Sequence, residues 1–182
     1  MLQRTLDELE AGLAEIQASP RTTGTLALIA RRPGLGMREI LEEAQLDTTV
    51  GLVGDGWVSR PNPKTPDGLA HPEKQLTLMN VRVIRLIADE HDWPLAGDQL
   101  YVDFDLSNDH VPPGTRLAVG TTILEVSTQP HRGCAKFSER FGSEVMRWVN
   151  SETGRALNLR GINARVVEPG TIHRGDPIRR LA

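Results

Sequence analysis

Short apolar runs broken by glycine and proline dominate the hydrophobic pattern from Gly24 onward. Runs of this length, bounded by turn-forming residues, are typical of strands. The predicted strands cover residues 25–30, 75–79, 100–106, 116–127 (two strands around Gly120), 161–167 and 172–181, the last broken at Gly175-Asp176. The 100–106 run alternates apolar and polar residues, as expected of a half-buried strand. Many short strands and few helices predict a mostly β fold, a barrel or sandwich, over a parallel α/β sheet.

The N-terminal segment instead has helical spacing. Its apolar residues recur at intervals of three and four and end before Ser19-Pro20: Leu2, Leu6, Leu9, Leu13 and Ile16. This amphipathic helix must bury its stripe on its own domain or on a second copy of the chain, so a homodimer is possible. Because no repeat or linker follows, we predict a helix over 1–20 and one barrel domain over 21–182.

Two further helices are predicted inside the β-rich part. Asn80 is placed to cap a helix that carries Val83, Ile84 and Ile87. A second helix is predicted after Cys134, with Gly154 beyond its end. Its apolar face comprises Phe137, Phe141, Val145 and Trp148.

Two glycine- or proline-rich segments are predicted to be loops. Three glycines in residues 51–56 permit positive φ and favour a tight loop. Residues 60–72 contain four prolines and predict an extended surface loop. Because long loops in compact domains are often functional, we expect this one to border the pocket that holds Cys134.

Composition excludes several classes of function. The net charge of −3 gives no indication of nucleic-acid binding. No apolar run approaches the roughly 20 residues that span a bilayer, so we expect no membrane insertion. The acidic, amphipathic N-terminus does not resemble a secretory leader, and one cysteine cannot form an internal disulfide. We therefore expect a soluble, cytoplasmic protein.

The basic residues are almost all arginines, since only Lys64, Lys74 and Lys136 are lysines. Codon bias in a GC-rich genome is one interpretation. The other is that some guanidinium groups hold an oxyanion or phosphate in bidentate fashion.

The best candidate for chemistry is Cys134, in the segment 128–137. A strand ends there, a turn follows, and a helix is predicted to begin just after the thiol. The helix start and the neighbouring His131, Arg132 and Lys136 would favour the thiolate that a nucleophile, persulfide carrier or metal ligand requires. Alternatively, Cys134 is a small buried hydrophobe. Asp55 is either a site acid or a turn former, and the scattered histidines predict no structural zinc site.

Four segments, in order, resemble the MOSC family, named for the C-terminal domain of molybdenum-cofactor sulfurases. They are Gly51-Leu52-Val53-Gly54-Asp55; residues 114–126; Cys134-Ala135-Lys136-Phe137 with Arg140-Phe141-Gly142; and the closing segments from Leu159-Arg160-Gly161-Ile162 to Gly175-Asp176. Gly97-Asp98-Gln99-Leu100 departs from the family, in which many members have Asn in place of Gln99. Together the four segments identify the chain as a member of the family, with its barrel-like fold.

The resemblance implies a molybdenum-cofactor site with Cys134 as the molybdenum or sulfur ligand. Cofactor binding is then expected at Arg160 with Arg132 or Lys136, and also at His131 and Asp55. The chain would be a small reductase of N-hydroxylated compounds, with a redox partner, or a cofactor carrier. Pyridoxal phosphate, which a separate domain binds in fused relatives, is not expected here. The alternatives are a persulfide carrier that serves a sulfur-transfer partner, and a binding module for small anions.

Overall fold

The computed structural model describes residues 4–63 and 65–181, which contain eleven strands and six α-helices. The strands are β1 (Gly24–Arg31), β2 (Glu39–Leu41), β3 (Glu43–Asp47), β4 (Gly51–Leu52), β5 (Leu76–Asn80), β6 (Leu100–Asp103), β7 (Arg116–Val119), β8 (Thr122–Val126), β9 (Ile162–Glu168), β10 (Gly170–His173) and β11 (Pro177–Arg180). The helices are α1 (Leu6–Ala11), α2 (Leu13–Gln17), α3 (Val81–Ile87), α4 (Ala135–Phe141), α5 (Ser143–Val149) and α6 (Glu152–Ala156). Short 3₁₀ helices cover Pro72–Lys74 and Glu90–Ala96.

Seven of these strands close into a barrel, so the predicted mostly β, barrel-like fold is confirmed. Their order is β11-β7-β8-β9-β5-β6-β1, and β1 pairs again with β11. The described barrel pairs are antiparallel except β5 and β6, which are parallel and are connected through α3. Strand β2 extends the sheet beyond β1, and β10, β3 and β4 form a separate three-stranded sheet.

The barrel wall separates two apolar clusters, because alternate residues of its strands point inward and outward. On β1, Leu26 and Ile29 belong to the inner cluster, whereas Leu28 belongs to the outer cluster, between the barrel and the helices. A bulge between Leu26 and Leu28 allows this change of phase. Strand β6 is buried on both faces, so the predicted half-buried strand over 100–106 was wrong in its exposure. Its outer face is covered where Tyr101 packs in the outer cluster.

The N-terminal segment forms two short helices where one was predicted. Helices α1 and α2 meet at Gly12, where a Cβ atom would require the Leu86 side chain to move. Leu9 and Ile16 are buried in the outer cluster, so part of the stripe packs on this chain's own body. Leu6 is 46% exposed, and Leu2 lies outside the described residues.

The helix predicted after Cys134 is also interrupted. Gly142 adopts a φ of +93°, and it separates α4 from α5. Gly154 lies beyond the end of α5, as predicted, but inside a further short helix, α6, that was not predicted. Its missing side chain lets α6 approach the carbonyl oxygens of Trp148 and Val149. The Asn80 cap of α3 is confirmed, since Asn80 Oδ1 accepts a hydrogen bond from the Arg82 backbone N–H.

The glycine segment 51–56 forms the short strand β4 followed by a turn. Gly51 and Gly54 have φ values of +71° and +81°, which supports the predicted use of positive φ. None of the described helices has the length and apolar character needed to cross a bilayer.

Candidate functional site

A groove with two lobes runs along the barrel beside Cys134. The helix-side lobe has a volume of about 540 Å³ and is bordered by α4 and by residues 33–38. The loop-side lobe has a volume of about 730 Å³ and is bordered by parts of the 60–72 loop. The lobes share five lining residues: Arg32, Arg60, Thr77, His131 and Cys134. The groove therefore places the only cysteine of the chain where two cavities meet.

The position of Cys134 is fixed by the turn that follows β8. Asn150, at the end of α5, clamps this turn: its Oδ1 accepts a hydrogen bond from the Gly133 backbone N–H at 3.0 Å, and its Nδ2 donates to the Gly133 carbonyl at 3.1 Å. Cys134 then forms the N-cap of α4, with an extended backbone and an exposed side chain. The thiol is thus accessible from the groove and not a packing element of the core.

The lining of the groove is strongly cationic. The basic side chains on the helix-side lobe alone are Arg38, Lys136, Arg140 and Arg160, those on the loop-side lobe alone are Lys74 and Arg132, and Arg32 and Arg60 line both. Among the described residues, no carboxylate lines either lobe. In a chain of net charge −3, this concentration of positive charge creates a local field that attracts anions.

Few of these cations are neutralised within the protein. In the described part of the chain, only Arg32 and Arg160 of the eight form an ion pair with a carboxylate. Arg38 and Arg140 donate to backbone carbonyls, of Pro94 and Leu95 respectively. Backbone carbonyls orient a guanidinium but carry no compensating net charge. The arrangement leaves positive charge for a ligand to neutralise.

Burial and the proximity of these cations lower the pKa values of two guanidinium groups. Burial lowers the pKa of Arg38, and the charges of Arg140 and Arg32 lower it further. The pKa of Arg60 is also lowered, by burial first and then by the charge of Arg32. An anion between these groups would relieve their repulsion, since an opposite charge favours the charged form.

A buried cluster of three ionisable residues underlies the groove. Arg160 Nη1 donates to Asp98 Oδ2 at 2.6 Å, and its Nη2 donates to the Ala96 carbonyl at 2.8 Å. Asp98 Oδ1 faces His131 Nδ1 at 3.5 Å, too long for a good hydrogen bond. Both of these atoms and Arg160 Nε are buried without a hydrogen-bond partner in the described structure. Because unsatisfied buried polar atoms are costly, this cluster is incomplete.

The pKa values of this cluster shift in opposite directions. Burial raises the pKa of Asp98, although the neighbouring Arg160 opposes the shift. Burial lowers the pKa of His131 well below its ordinary value, and the positive charges of Arg160, Arg32 and Lys74 add to this effect. His131 is therefore neutral at pH 7.

Asp55 lies behind the groove and does not line either lobe. Its carboxylate accepts from Arg32 Nε at 2.9 Å, from Arg32 Nη2 at 3.0 Å, and from the backbone N–H groups of Arg32 and Trp57. Asp55 thus positions Arg32 on the wall that both lobes share.

The structure brings most of the predicted site residues together. Cys134, His131, Arg132, Lys136 and Arg160 all line the groove. Sequence reasoning missed five cations of the same groove: Arg32, Arg38, Arg60, Lys74 and Arg140. The available signal was the excess of arginine, which does not indicate which arginines converge.

The 60–72 loop borders the groove, as expected. Arg60, Pro61, Asn62, Ala70 and His71 line the loop-side lobe together with Cys134. Gln99, the departure from the family pattern, is buried: its Oε1 accepts from the Thr77 backbone N–H and hydroxyl at 2.9 and 2.6 Å. It therefore holds Thr77 at the junction of the lobes. Among the described residues, no group of three His, Cys, Asp or Glu side chains could hold a metal ion.

Comparisons with known proteins agree on the fold. The family model of the MOSC domain matches residues 68–179, more than half of the chain. The search of curated proteins found no match. The solved structure of YuaD from Bacillus subtilis is similar at 17% identity and a TM-score of 0.57, covering 88% of this chain and 96% of that one.

Two structures of YiiM are also similar. YiiM from Escherichia coli has 19% identity and a TM-score of 0.57, covering 87% of this chain and 70% of that one. YiiM from Geobacillus stearothermophilus has 14% identity and a TM-score of 0.58, covering 87% and 75% respectively. At these identities the likeness establishes a shared fold.

Proposed function

The chain belongs to the MOSC domain family, and from that premise we propose that its groove binds the molybdenum cofactor with Cys134 as the metal ligand. One observation carries the proposal: the exposed Cys134 thiol lies where two lobes with a cationic lining meet. The family name supplies the cofactor's identity, and the groove supplies a suitable chemistry.

The residues present fit such a group. A thiolate is a soft ligand suited to a metal that keeps other coordination positions for the pterin and for substrate. Lys136, Arg140 and Arg160 lie on the same lobe as the thiol and would hold the cofactor's phosphate. Arg160 Nε, buried without a partner, is a donor that the protein leaves unused. When bound, the cofactor would supply the redox chemistry of a small molybdoenzyme or the cargo of a cofactor carrier.

The protein's own residues would orient the ligand. Asp55 fixes Arg32, and Asn150 fixes the turn before Cys134, so both sides of the groove are rigid. Burial and the charges of Arg160, Arg32 and Lys74 lower the pKa of His131, so its imidazole is neutral. A neutral ring would orient a ligand by hydrogen bonding and would not add a positive charge beside Arg32 and Arg160.

The test is the molybdenum content of protein purified from a host that makes the cofactor. We expect near-stoichiometric metal in the wild type and its loss in Cys134→Ser, because serine is a poor ligand for a soft metal site. Glu139→Gln, an exposed residue of α4 that does not line the groove, is the matched control and should retain the metal. Equal metal content in wild type and Cys134→Ser would contradict the proposal.

The exposure of the thiol also favours a second candidate, a persulfide carrier. The Cys134 thiolate would attack the outer sulfur of a partner's persulfide, form a Cys134 persulfide, and release the partner's thiolate. Intact mass after mild treatment with a persulfide donor should then show a gain of one sulfur atom, absent in Cys134→Ser. A sulfur gain in a protein that acquires no molybdenum would support the persulfide carrier. A protein that contains molybdenum and gains no sulfur would support the first proposal.

A further inference from the structure

We propose that the loop-side lobe is a second anion site, which binds the phosphate or carboxylate group of an organic substrate, while the helix-side lobe holds the cofactor's phosphate. This inference rests on the proposed function for the word substrate, but the anion site itself rests on the cavity. A cavity of about 730 Å³ is within the size range of small-molecule sites. It would therefore accept a ligand larger than a simple ion.

The loop-side lobe has its own unpaired cations. Lys74 and Arg132 line this lobe and do not line the helix-side lobe. In the described part of the chain neither forms an ion pair, and the shared Arg60 forms none either. A cofactor phosphate held at Lys136, Arg140 and Arg160 would leave the charges of Lys74 and Arg132 uncompensated. A second anion is the ligand that their chemistry fits.

The carboxylate next to Lys74 in the sequence is bound to other residues. Glu73 lies directly before Lys74 but does not line the lobe. Its oxygens accept from the Thr128 hydroxyl at 3.0 and 3.1 Å and from Gln129 Nε2 at 3.4 Å. These hydrogen bonds hold the carboxylate on the flank of the lobe, so it does not neutralise Lys74 within the cavity.

An imidazole N–H adds to the polar lining. His71 Nδ1 accepts a hydrogen bond from the Glu73 backbone N–H at 3.2 Å. Since Nδ1 is an acceptor, the imidazole carries its proton on Nε2, which is then a donor. His71 belongs to the same lining as Lys74 and Arg132. Two cations and an imidazole N–H are the donor set expected for an oxyanion.

Part of the remaining lining is apolar and fits an organic body on the anion. Trp57, Pro61, Ala70 and Pro130 line the same lobe. An inorganic ion would gain nothing from these side chains, whereas the carbon skeleton of a substrate would bury apolar surface against them. Because Cys134 and His131 line the junction of the lobes, a substrate anchored by its anion would lie next to the thiol.

The test is calorimetric titration of inorganic phosphate, and separately of acetate, into protein purified from a cofactor-producing host. The Lys74→Gln/Arg132→Gln variant should bind the preferred anion on the order of tenfold more weakly, since two charge-assisted contacts are lost. The matched control is Arg116→Gln/Arg179→Gln, which removes two exposed cations that line neither lobe. Its affinity for the probe should change less than threefold.

Circular dichroism and thermal unfolding establish that each variant is folded. Preference for phosphate would indicate a phosphorylated substrate, and preference for acetate a carboxylate. An affinity for both anions that is the same in wild type and Lys74→Gln/Arg132→Gln would overturn the inference.

Molybdenum content, measured on the same samples, separates the two proposals. Anion binding that depends on Lys74 and Arg132 in a protein without molybdenum would remove the proposed function and keep the anion site. A protein that contains molybdenum but whose anion affinity does not depend on Lys74 and Arg132 would keep the proposed function and remove the anion site.

Discussion

Two buried arginine–aspartate pairs flank the groove, and they differ in how completely the protein satisfies them. In the Arg32–Asp55 pair, Asp55 accepts four hydrogen bonds, two from the guanidinium and two from backbone N–H groups. In the Arg160–Asp98 pair, one oxygen of Asp98 accepts from the guanidinium, and Asp98 Oδ1 and Arg160 Nε are buried without partners. The first pair is complete without a ligand, and the second is not.

This difference indicates different roles. A buried ion pair is favourable only when hydrogen bonds satisfy its remaining donors and acceptors. Asp55 meets that condition, so its pair serves as a scaffold that fixes Arg32 on the wall between the lobes. Asp98 and Arg160 do not meet it, and Arg160 also lies over the Phe137 ring, 4.7 Å from its centroid, beside the helix-side lobe. We infer that the second pair keeps unused hydrogen-bonding capacity, which a ligand or a buried water would satisfy.

The largest expected effect comes from breaking the complete pair. Asp55→Asn should lower the free energy of unfolding by about 3–5 kcal/mol, because it leaves the buried Arg32 charge uncompensated. The measurement is denaturant unfolding of wild type and variant. The control is Glu125→Gln, which breaks the more exposed pair with Arg165 and should cost less than about 1 kcal/mol. A similar cost for both variants would show that the Asp55 pair is not a scaffold.

Breaking the incomplete pair should cost less and should also alter ligand binding. Asp98→Asn should reduce the free energy of unfolding by about 1–3 kcal/mol, because the Asp98 carboxylate accepts one hydrogen bond from Arg160, whereas the Asp55 carboxylate accepts four hydrogen bonds. The same variant should bind phosphate more tightly, since Arg160 loses the carboxylate that competes with the ligand. Calorimetric titration of phosphate checks this, with Asp55→Asn for comparison. Weaker phosphate binding in Asp98→Asn would contradict the interpretation of the pair.

The two pairs also show what the sequence could and could not predict. The fold class followed from short apolar runs, whose periodicity is a local property. The helix interruptions at Gly12 and Gly142 were missed because they depend on tertiary structure. Gly12 packs against Leu86, and at Gly142 the next helix takes a new direction. Asp55 was predicted as a site residue from its glycine loop, but its partner Arg32 is 23 positions away and no local pattern joins them.

The candidate site was predictable only around the cysteine. His131, Arg132 and Lys136 were found because they flank Cys134 in sequence, and Arg160 was found through the family resemblance. Arg38, Arg60 and Arg140 come from three separate segments, and they converge through barrel closure and helix packing. Arg38 and Arg60 looked like ordinary surface arginines in the sequence, and Arg140 was noted only as part of a family-like segment. Which arginines form the cationic site therefore depends on the tertiary structure.

The incomplete pair should also give stability a pH dependence through His131. Its pKa is lowered in the folded state, first by burial and then by Arg160, Arg32 and Lys74. The unfolded chain thus binds a proton as pH falls below about 6.5, while the folded chain does not. The contribution of this group is fully present above pH of about 6.5 and is lost as the pH falls, by up to about 1.4 kcal/mol per unit.

The measurement is the free energy of unfolding from pH 7.5 to 5 for wild type and His131→Gln. The raised pKa of Asp98 acts in the opposite direction, because the folded state then holds its proton more tightly, so the difference between the two curves is the relevant quantity. The variant should show a flatter curve below about pH 6.5. His91→Gln, at an exposed site, is the control and should reproduce the wild-type curve. A His131→Gln curve parallel to the wild type would argue against a neutral, buried imidazole.

The smallest expected effect on stability belongs to Cys134, which lines both lobes of the groove. Its side chain is exposed, and the turn that carries it is held by Asn150 through backbone atoms of Gly133. Cys134→Ser should therefore change the free energy of unfolding by no more than about 0.5 kcal/mol, the range typical of surface substitutions. Asn150→Ala should cost more, since it leaves the Gly133 N–H and carbonyl without their partner. If denaturant unfolding instead shows Cys134→Ser to be as destabilising as Asn150→Ala, the thiol is a packing element of the turn, and its accessibility no longer supports a role as a ligand.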